Sequence, residues 1–359
     1  MSLSKSSNPM ASLQAPKIVW ITNLRVFATL TVVLLHAAAN GLGAMGKIPM
    51  TNWWICNIIN TFGRFAVPIF VMLSGYLLIP KYQELSTFLQ KRLLRICIPF
   101  LIWTFLYIIW GNFYGIKSEK TGWHFMAILS KILVGGGGGA GHLWFVYMLL
   151  GLYAFTPIIS RWLDKATTNE MIYFLIISLI VNSLMPALTH FYGIDTRLEL
   201  RYFSGFVGYF VLGYYLGNVN FIASSKQLGL CIGVFILAWI FTAFVVFEMS
   251  WPTKIFDNLM SGYLSFGVVL MSGSIFLFFK HFANIEFLPK LMASLDASSF
   301  GIYLVHILIL KTLSRQYHLN YTFMHPLVGV FLHFLATATL SFLVVYLLKK
   351  IPKGSWVVG

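Results

Sequence analysis

Arg25 and His36 are the two residues of this sequence whose type and position point most directly to chemistry. Both lie in the first long apolar segment, 18–39, where a charged or titratable side chain is costly and is therefore a functional candidate. They are eleven residues apart, so a helix presents both on one face, about 16 Å apart along its axis. The pair predicts a polar stripe on the first helix, with a cation at one end and a proton-carrying ring towards the other.

Further cations follow in the next two segments. Pro68 is expected to kink the second segment. Arg64 lies inside the same segment, where it could contact an anionic substrate group or bond carbonyls that Pro68 leaves free. Lys91, Arg92 and Arg95 precede the third segment. Such a cluster is more often a topology anchor, although guanidiniums at a helix end also bind phosphates.

A run of glycines at 135–139 leads to His142 and Trp144 at the mouth of the fourth segment. No Lys-Ser/Thr follows the glycines as in a phosphate-binding loop, so they predict a pliable linker. Trp144 is typical of an interfacial anchor, and His142 is a weaker candidate site residue. For His306 and His333, in the last two segments, a hydrogen-bonded structural role is favoured.

The composition places these residues in a membrane protein. Of 359 residues, 58% are hydrophobic and only 10% are charged, too few for a soluble surface. The apolar runs are about 20 residues long and lack the alternation of a barrel, so we predict an all-α, polytopic integral membrane protein. About ten transmembrane helices are expected, at 18–39, 56–79, 94–112, 143–160, 171–189, 203–217, 228–247, 259–280, 299–314 and 327–348.

One transmembrane domain is expected over 18–348, between a flexible tail at 1–17 and a short basic tail at 349–359. The lysines and arginines of the loops favour a bacterial cytoplasmic (inner) membrane with both termini in the cytoplasm, and this places His36 towards the outer side. The same rule, with contact to anionic membrane lipid, accounts for most of the net charge of +15, so no nucleic-acid partner is expected. The three scattered cysteines show no metal-ligand spacing, so no metal site is expected.

Acidic residues are expected only in loops or at the ends of spans. This counts against a proton pump built on buried carboxylates. A carboxylate that orients His36 would then have to reach in from a loop on the outer side, and Glu199 and Glu248 are the candidates.

An ordered set of motifs resembles the acyltransferase-3 family of membrane proteins over nearly the whole chain. The set begins with Arg-x10-His, realised as Arg25 and His36. The other motifs follow in the order and spacing of the family. They are 67–76 (VPIFVMLSGY), Lys91-Arg92-x-x-Arg95, 142–145 (HLWF), Thr156-Pro157 and 300–306 (FGIYLVH).

The resemblance implies an O-acetyltransferase that uses acetyl-CoA on the cytoplasmic side and acylates a hydroxyl of a cell-surface or lipid-linked carbohydrate. His36 would act as the general base. The CoA phosphates would be held by Arg25, Arg92 and Arg95, with Lys91 beside them. Arg64 or Ser74 would stabilise the oxyanion, and these two residues with His142 and Trp144 are the candidates for binding the acceptor.

Alternatives stay open from the sequence. Transfer could pass through an acyl-histidine. The same arginines could instead line the path of a transporter or flippase for an anionic amphiphile or glycolipid, gated by His36. The expected lack of acids within spans and of a clear inverted repeat disfavours transport. A structural scaffold would need no buried arginine and histidine on one helix face.

Overall fold

The computed structural model describes residues 18–79, 85–120, 123, 125–134, 139–193, 205–219 and 223–359. Within these ranges the chain is helical and has no strand, which confirms the predicted fold class. The predicted tail at 1–17 lies outside the described residues. The helices of the described ranges are α1 (Val19–Leu42), α2 (Met50–Phe62), α3 (Ala66–Leu78), α4 (Leu85–Tyr114), α5 (Phe125–Val134), α6 (Trp144–Lys165), α7 (Thr168–Leu179), α8 (Met185–Tyr192), α9 (Val207–Asn218), α10 (Ser225–Ser250), α11 (Phe266–Phe282), α12 (Pro289–Gln316), α13 (Pro326–Lys350) and α14 (Ser355–Val358).

Eight helical segments of the described chain are long and apolar enough to cross a membrane. Two of them are composite, because α2 continues into α3 and α7 continues into α8 through a π-helical turn at Ile180–Leu184. The spans predicted at 203–217 and 259–280 correspond to α9, with 12 residues, and α11, with 17. Helix α9 is shorter than the roughly 17–25 residues that cross a membrane, and α11 is at the lower limit of that range. The protein is therefore a multi-pass membrane protein with eight long candidate spans in the described part, beside the shorter apolar helices α9 and α11.

The second span breaks at Gly63–Phe65, where a single 3₁₀ turn separates α2 from α3. Pro68 has no N–H to bond the carbonyl of Arg64, four residues earlier, so the α-helical ladder is interrupted there. The sequence predicted a kink at Pro68 itself. The break lies one turn ahead of it, at the carbonyl that the proline leaves free, and it carries Arg64.

The first helix, α1, lies at the centre of the bundle and contacts α2, α3, α11, α12 and α13. Aromatic rings pack along it. Phe27 stacks between Phe65 and Phe279, with ring centroids 5.7 and 5.3 Å away, and Trp20 packs on Tyr76 at 5.5 Å. Large buried rings fix the rotation of a helix because each fills a shaped space. The polar residues of α1 are therefore held in place.

Helices α3 and α9 pack so closely that their backbones are in contact. A Cβ on Gly75 would overlap the carbonyl oxygen of Phe210, and a Cβ on Gly213 would overlap that of Met72. Small facing residues allow membrane helices to pack closely where lipid provides no hydrophobic drive. This contact fixes α3 between α1 and α9.

The long helix α12 begins at Pro289, which suits a first turn because that position needs no N–H bond. The sequence placed the start of this span at 299, so the helix begins ten residues earlier than predicted. It therefore contains Asp296. The expectation that acids lie only in loops or at span ends was wrong for this residue.

The last residues of the chain, predicted as a basic tail at 349–359, pack back onto the bundle. Trp103 Nε1 of α4 donates to the carbonyl oxygen of Val357 over 2.9 Å, and Val358 is buried. A buried indole N–H needs such an acceptor. The end of the chain is thereby attached to α4.

Candidate functional site

Helices α1 and α12 run parallel and meet at two levels. At the first level, Arg25 Nη1 donates to Asp296 Oδ1 over 2.7 Å. At the second level, His36 and His306 face each other with ring centroids 5.3 Å apart. The levels are eleven residues apart on α1 and ten on α12, so both helices rise by nearly the same amount between them. We call these the arginine level and the histidine level.

A cavity of about 320 Å³ lies beside the arginine level. Its lining includes the polar residues Arg25, Arg92 and Ser74 and the aromatic residues Phe145 and Tyr303. Two guanidiniums and no carboxylate are among its described lining residues, so the cavity is positive. Arginine side chains in such a place suit phosphate or carboxylate groups, which they can bind through two N–H groups at once.

Ser74 belongs to the arginine end of the site. Its Oγ donates to the carbonyl of Phe70 over 2.8 Å and also pairs with the hydroxyl of Tyr153. Tyr153 lies within electrostatic reach of Arg92 and Arg25. Of the two residues predicted to stabilise an oxyanion, Ser74 therefore lies with the arginines, whereas Arg64 lies near His36.

The basic residues of α4 take different positions. Arg92 lines the positive cavity, whereas Arg95 is exposed and lines a separate hollow of about 350 Å³ beside the C-terminal residues. Lys91 is part of α4, but its side chain lies outside the described part of the structure. Of the described side chains of this cluster, Arg92 shares the cavity with Arg25. Arg95 acts electrostatically on Tyr153 at the same end of the site.

Three histidines meet at the histidine level. The ring of His306 lies between those of His36 and His142, with centroids 5.3 and 5.1 Å away. His142 and His306 are buried, and His36 is half-buried. Tyr303 lines the positive cavity, and its hydroxyl donates to the backbone carbonyl of His142 over 2.6 Å. The cavity thus ends on a residue that contacts the histidine cluster.

The proton position on His306 follows from its partners. Its Nδ1 lies 2.7 Å from the carbonyl oxygen of Tyr303 and 3.2 Å from that of Ile302. A carbonyl only accepts, so Nδ1 carries the hydrogen, and in the neutral ring Nε2 carries the lone pair. This Nε2 is buried and has no hydrogen-bond partner among the described residues.

Tyr107 of α4 supports both buried histidines. Its hydroxyl donates to the carbonyl of Leu304 and accepts from the N–H of Leu308, each over 3.0 Å. It therefore bridges two backbone groups of α12 that lie four residues apart and would otherwise bond each other. Its ring packs edge-on against His142, with centroids 5.3 Å apart. One side chain therefore fixes His142 and the turn of α12 that contains His306.

Arg64 is held beside His36 by Asn60. Nε and Nη2 of Arg64 donate to Asn60 Oδ1 over 2.9 and 2.6 Å, and Asn60 Nδ2 donates to the carbonyl of Leu35 over 2.8 Å. The guanidinium also lies over the ring of Tyr263, 5.8 Å from its centroid, and acts electrostatically on His36. A fixed guanidinium with further N–H groups can stabilise a negative charge that develops near His36.

Trp144 lies beyond Arg64. Its ring packs on Tyr263 at 5.6 Å and on Phe206 at 5.5 Å. Three residues that the sequence proposed for the acceptor, Arg64, His142 and Trp144, are thus near the histidine level.

Carboxylates do not pair with His36 in the described structure, since no Asp or Glu oxygen there lies within ion-pair distance of its ring. Glu199, one of the two predicted candidates, lies outside the described residues. Glu248 is exposed on α10. The groups that act on His36 are instead His306 and Arg64.

Glu119 ties the segment after α4 to the end of α12. Its carboxylate pairs with Lys311 over 2.5 Å and with Arg315 over 2.6 and 3.1 Å. Burial, which raises the pKa of this carboxyl, is outweighed by the hydrogen bonds from Arg315 and Lys311, so its pKa falls from 4.5 to about 2. This cluster anchors the chain next to the histidine level, because Lys311 also acts electrostatically on His142.

Comparison with known proteins gives a consistent result. A family model, Acyl_transf_3, described as an acyltransferase domain, matches residues 18–350. The protein named "Putative membrane-bound acyltransferase YfiQ" of Bacillus subtilis (strain 168) is 25% identical over 295 residues, which cover 79% of this chain and 78% of that protein. No solved structure matches the chain.

Proposed function

Since this chain belongs to the acyltransferase-3 family, we propose that it is an O-acetyltransferase that uses acetyl-CoA and acylates a hydroxyl of a cell-surface or lipid-linked carbohydrate. The observation that carries the proposal is the positive cavity, which joins two arginines to the edge of the histidine cluster. CoA is a polyanion with a long thin arm that ends in a thioester. Its charge and shape correspond to a site with guanidiniums at one end and a base at the other.

The phosphates of the donor would lie against Arg25 and Arg92. Arg25 keeps 29% of its side chain exposed while it pairs with Asp296, so part of its guanidinium remains available. Arg95 and Lys91 would add charge at the entrance. The arm would then extend past Tyr303 towards His36.

The transfer would proceed at the histidine level. The acceptor hydroxyl attacks the thioester carbonyl carbon while His36 takes its proton. N–H groups of Arg64 stabilise the oxyanion of the tetrahedral intermediate. The carbon–sulfur bond then breaks, the CoA thiolate takes the proton from His36, and the products are the O-acetyl ester and CoA. A route through an acyl-histidine would use the same residues in two steps.

The acceptor would enter by way of Arg64, His142 and Trp144. An aromatic ring beside a guanidinium and histidines suits a sugar, because the sugar can pack on the face of the ring while the polar groups bond its hydroxyls. The motifs resemble those of the O-acetyltransferase of enterobacterial common antigen, and we propose a related surface polysaccharide as acceptor. The corresponding location is the bacterial inner membrane, with both termini and the donor on the cytoplasmic side.

The first test uses acetyl-CoA labelled in the acetyl group and membranes that contain the protein. We expect label in a lipid-linked glycan or polysaccharide fraction for the wild type, and a loss of at least about 100-fold for His36→Ala, because general-base catalysis contributes that much. The variant is compared at equal abundance and with its acetyl-CoA binding measured.

Equal label in both proteins would exclude His36 from the mechanism. A wild type that transfers no label, but moves an anionic glycolipid across vesicle membranes without any acyl donor, would contradict the enzyme and support the transporter.

A further inference from the structure

We infer that His306 is a positioning residue for His36: its Nε2 accepts a hydrogen bond from the ring N–H of His36, directly or through one bridging water. The inference rests on the proposed function, because it concerns the nitrogen of His36 that does not take the acceptor's proton. It assigns to an uncharged histidine the place that a carboxylate takes beside many catalytic histidines.

The first observation is the fixed tautomer. Carbonyls of Tyr303 and Ile302 hold the hydrogen of His306 on Nδ1, so the lone pair is on Nε2, on the other side of the ring. The residue is fully buried, and this lone pair has no partner in the described chain. A buried acceptor without a donor costs free energy, so a nearby donor is expected.

The second observation is the neighbour. The ring of His36 lies 5.3 Å from that of His306, a separation that one hydrogen bond or one bridging water can close. A histidine that acts as a base with one nitrogen carries its hydrogen on the other, and that N–H needs an acceptor to hold the ring in orientation. No carboxylate in the described residues lies within ion-pair distance of His36, and Arg64 has no acceptor atoms. Nε2 of His306 can supply this acceptor. The ring of His142, 5.1 Å from that of His306, is the competing donor, and the ¹⁵N spectrum of the His36→Ala variant distinguishes the two.

His333 of α13 is a matched control within the same chain. It is also fully buried, with one ring nitrogen, Nε2, 3.0 Å from the carbonyl of Leu310, and with the other unpartnered among the described residues. It makes no ring contact with His36 or His142 in the described structure. Burial and a single backbone bond therefore occur at both residues, but only His306 faces the proposed base.

The test compares His306→Gln with His306→Asn. The amide of Asn reaches the place of Nδ1 and restores the bond to the carbonyl of Tyr303, whereas the amide of Gln reaches the place of Nε2 and restores an acceptor towards His36. We expect kcat to fall less than about tenfold in the Gln variant and about 100-fold in the Asn variant, with the KM for acetyl-CoA unchanged in both. His333→Gln and His333→Asn should have the same kcat, although only the Gln variant can keep the bond to the carbonyl of Leu310.

Equal losses in the two His306 variants, or a smaller loss in the Asn variant, would overturn the inference and leave His306 a structural residue. A wild type without acetyl transfer would instead contradict the proposed function, so the two failures are distinguishable.

A second measurement needs no change at 306. In ¹⁵N spectra of histidine-labelled protein, an imidazole nitrogen that loses a hydrogen-bond donor resonates further downfield. The Nε2 signal of His306 should move downfield in the His36→Ala variant. An unchanged signal would overturn the inference even if both His306 variants failed to fold.

Discussion

Arg25 and Arg92 lie at one end of the site, and His36, His306 and Arg64 lie at the other. In the proposed function, the first pair binds the charge of the donor and the second group moves a proton beside a developing oxyanion. Binding and chemistry can therefore be changed separately by substitution, which makes the assignment of each arginine testable.

Arg92→Ala should weaken binding of acetyl-CoA without affecting a truncated acetyl thioester that lacks the phosphates. Loss of one charge-assisted hydrogen bond is worth about 1.5–3 kcal/mol, so we expect the KM for acetyl-CoA to rise about tenfold or more. Steady-state kinetics with both donors measure this. Arg161→Ala, an exposed arginine of α6, is the control and should leave both KM values unchanged. An equal effect of Arg92→Ala on both donors would exclude a phosphate contact.

The sequence identified His36, Arg25 and Arg64 because a charge or a titratable ring in an apolar segment stands out. It missed Asp296, since hydropathy alone cannot show that α12 begins at Pro289. A usable signal was present: Asp296 and His306 are ten residues apart, close to the spacing of Arg25 and His36. Only the packing of α12 on α1 shows that the two pairs lie side by side.

Helix α3 owes its position to close backbone contact with α9, because Gly75 and Gly213 each face a carbonyl of the other helix. The turn before α3 carries Arg64, and α3 itself carries Ser74. The separation of these two helices thus determines where two of the predicted site residues lie.

Gly213→Ala should destabilise the protein by about 1–3 kcal/mol, because the added methyl group overlaps the carbonyl of Met72. Thermal unfolding in detergent or nanodiscs measures the change. Gly233→Ala is the matched control: it lies within α10 with open space around it, and alanine should stabilise the helix by about 0.4–1 kcal/mol. Equal midpoints for the two variants would contradict the close approach of α3 and α9.

Most of the helices could be predicted because a membrane span needs about 20 apolar residues and the sequence shows such runs plainly. Helices α9 and α11 are shorter than the segments predicted there, because hydropathy does not report where a helix ends. The break at Gly63–Phe65 was placed near Pro68 but not at the right turn, since the consequence of a proline appears at the carbonyl four residues earlier.

Across the whole chain, Glu119 connects parts that are far apart in sequence. It follows α4 and pairs with Lys311 and Arg315 near the end of α12, a separation of 192 and 196 residues. Two cations on one carboxylate form a network, which contributes more than an isolated surface pair. The contact should therefore influence the stability of the bundle as a unit.

Glu119→Gln should lower the thermal midpoint at pH 7, and this deficit should shrink at low pH. The folded-state pKa of Glu119 is about 2, below the ordinary 4.5, so its stabilisation is complete above about pH 4.5 and is lost as the pH falls towards 2. Midpoints at pH 7, 5 and 3 for wild type and variant measure this. Glu248→Gln, at an exposed acid without an ion pair in the described structure, should show no such trend. A deficit for Glu119→Gln that stays constant down to pH 3 would contradict the ion-pair network.

The paired contacts between α1 and α12 have one more consequence. Two parallel helices joined by an ion pair at one level and by facing rings at another cannot slide along each other unless one contact opens. The helical rise sets the distance between the levels at about 16 Å. The helix pair therefore sets the length that the proposed donor must span between the arginines and the histidines. A cosubstrate with too short a linker can reach the arginines or the histidines, but it cannot span both.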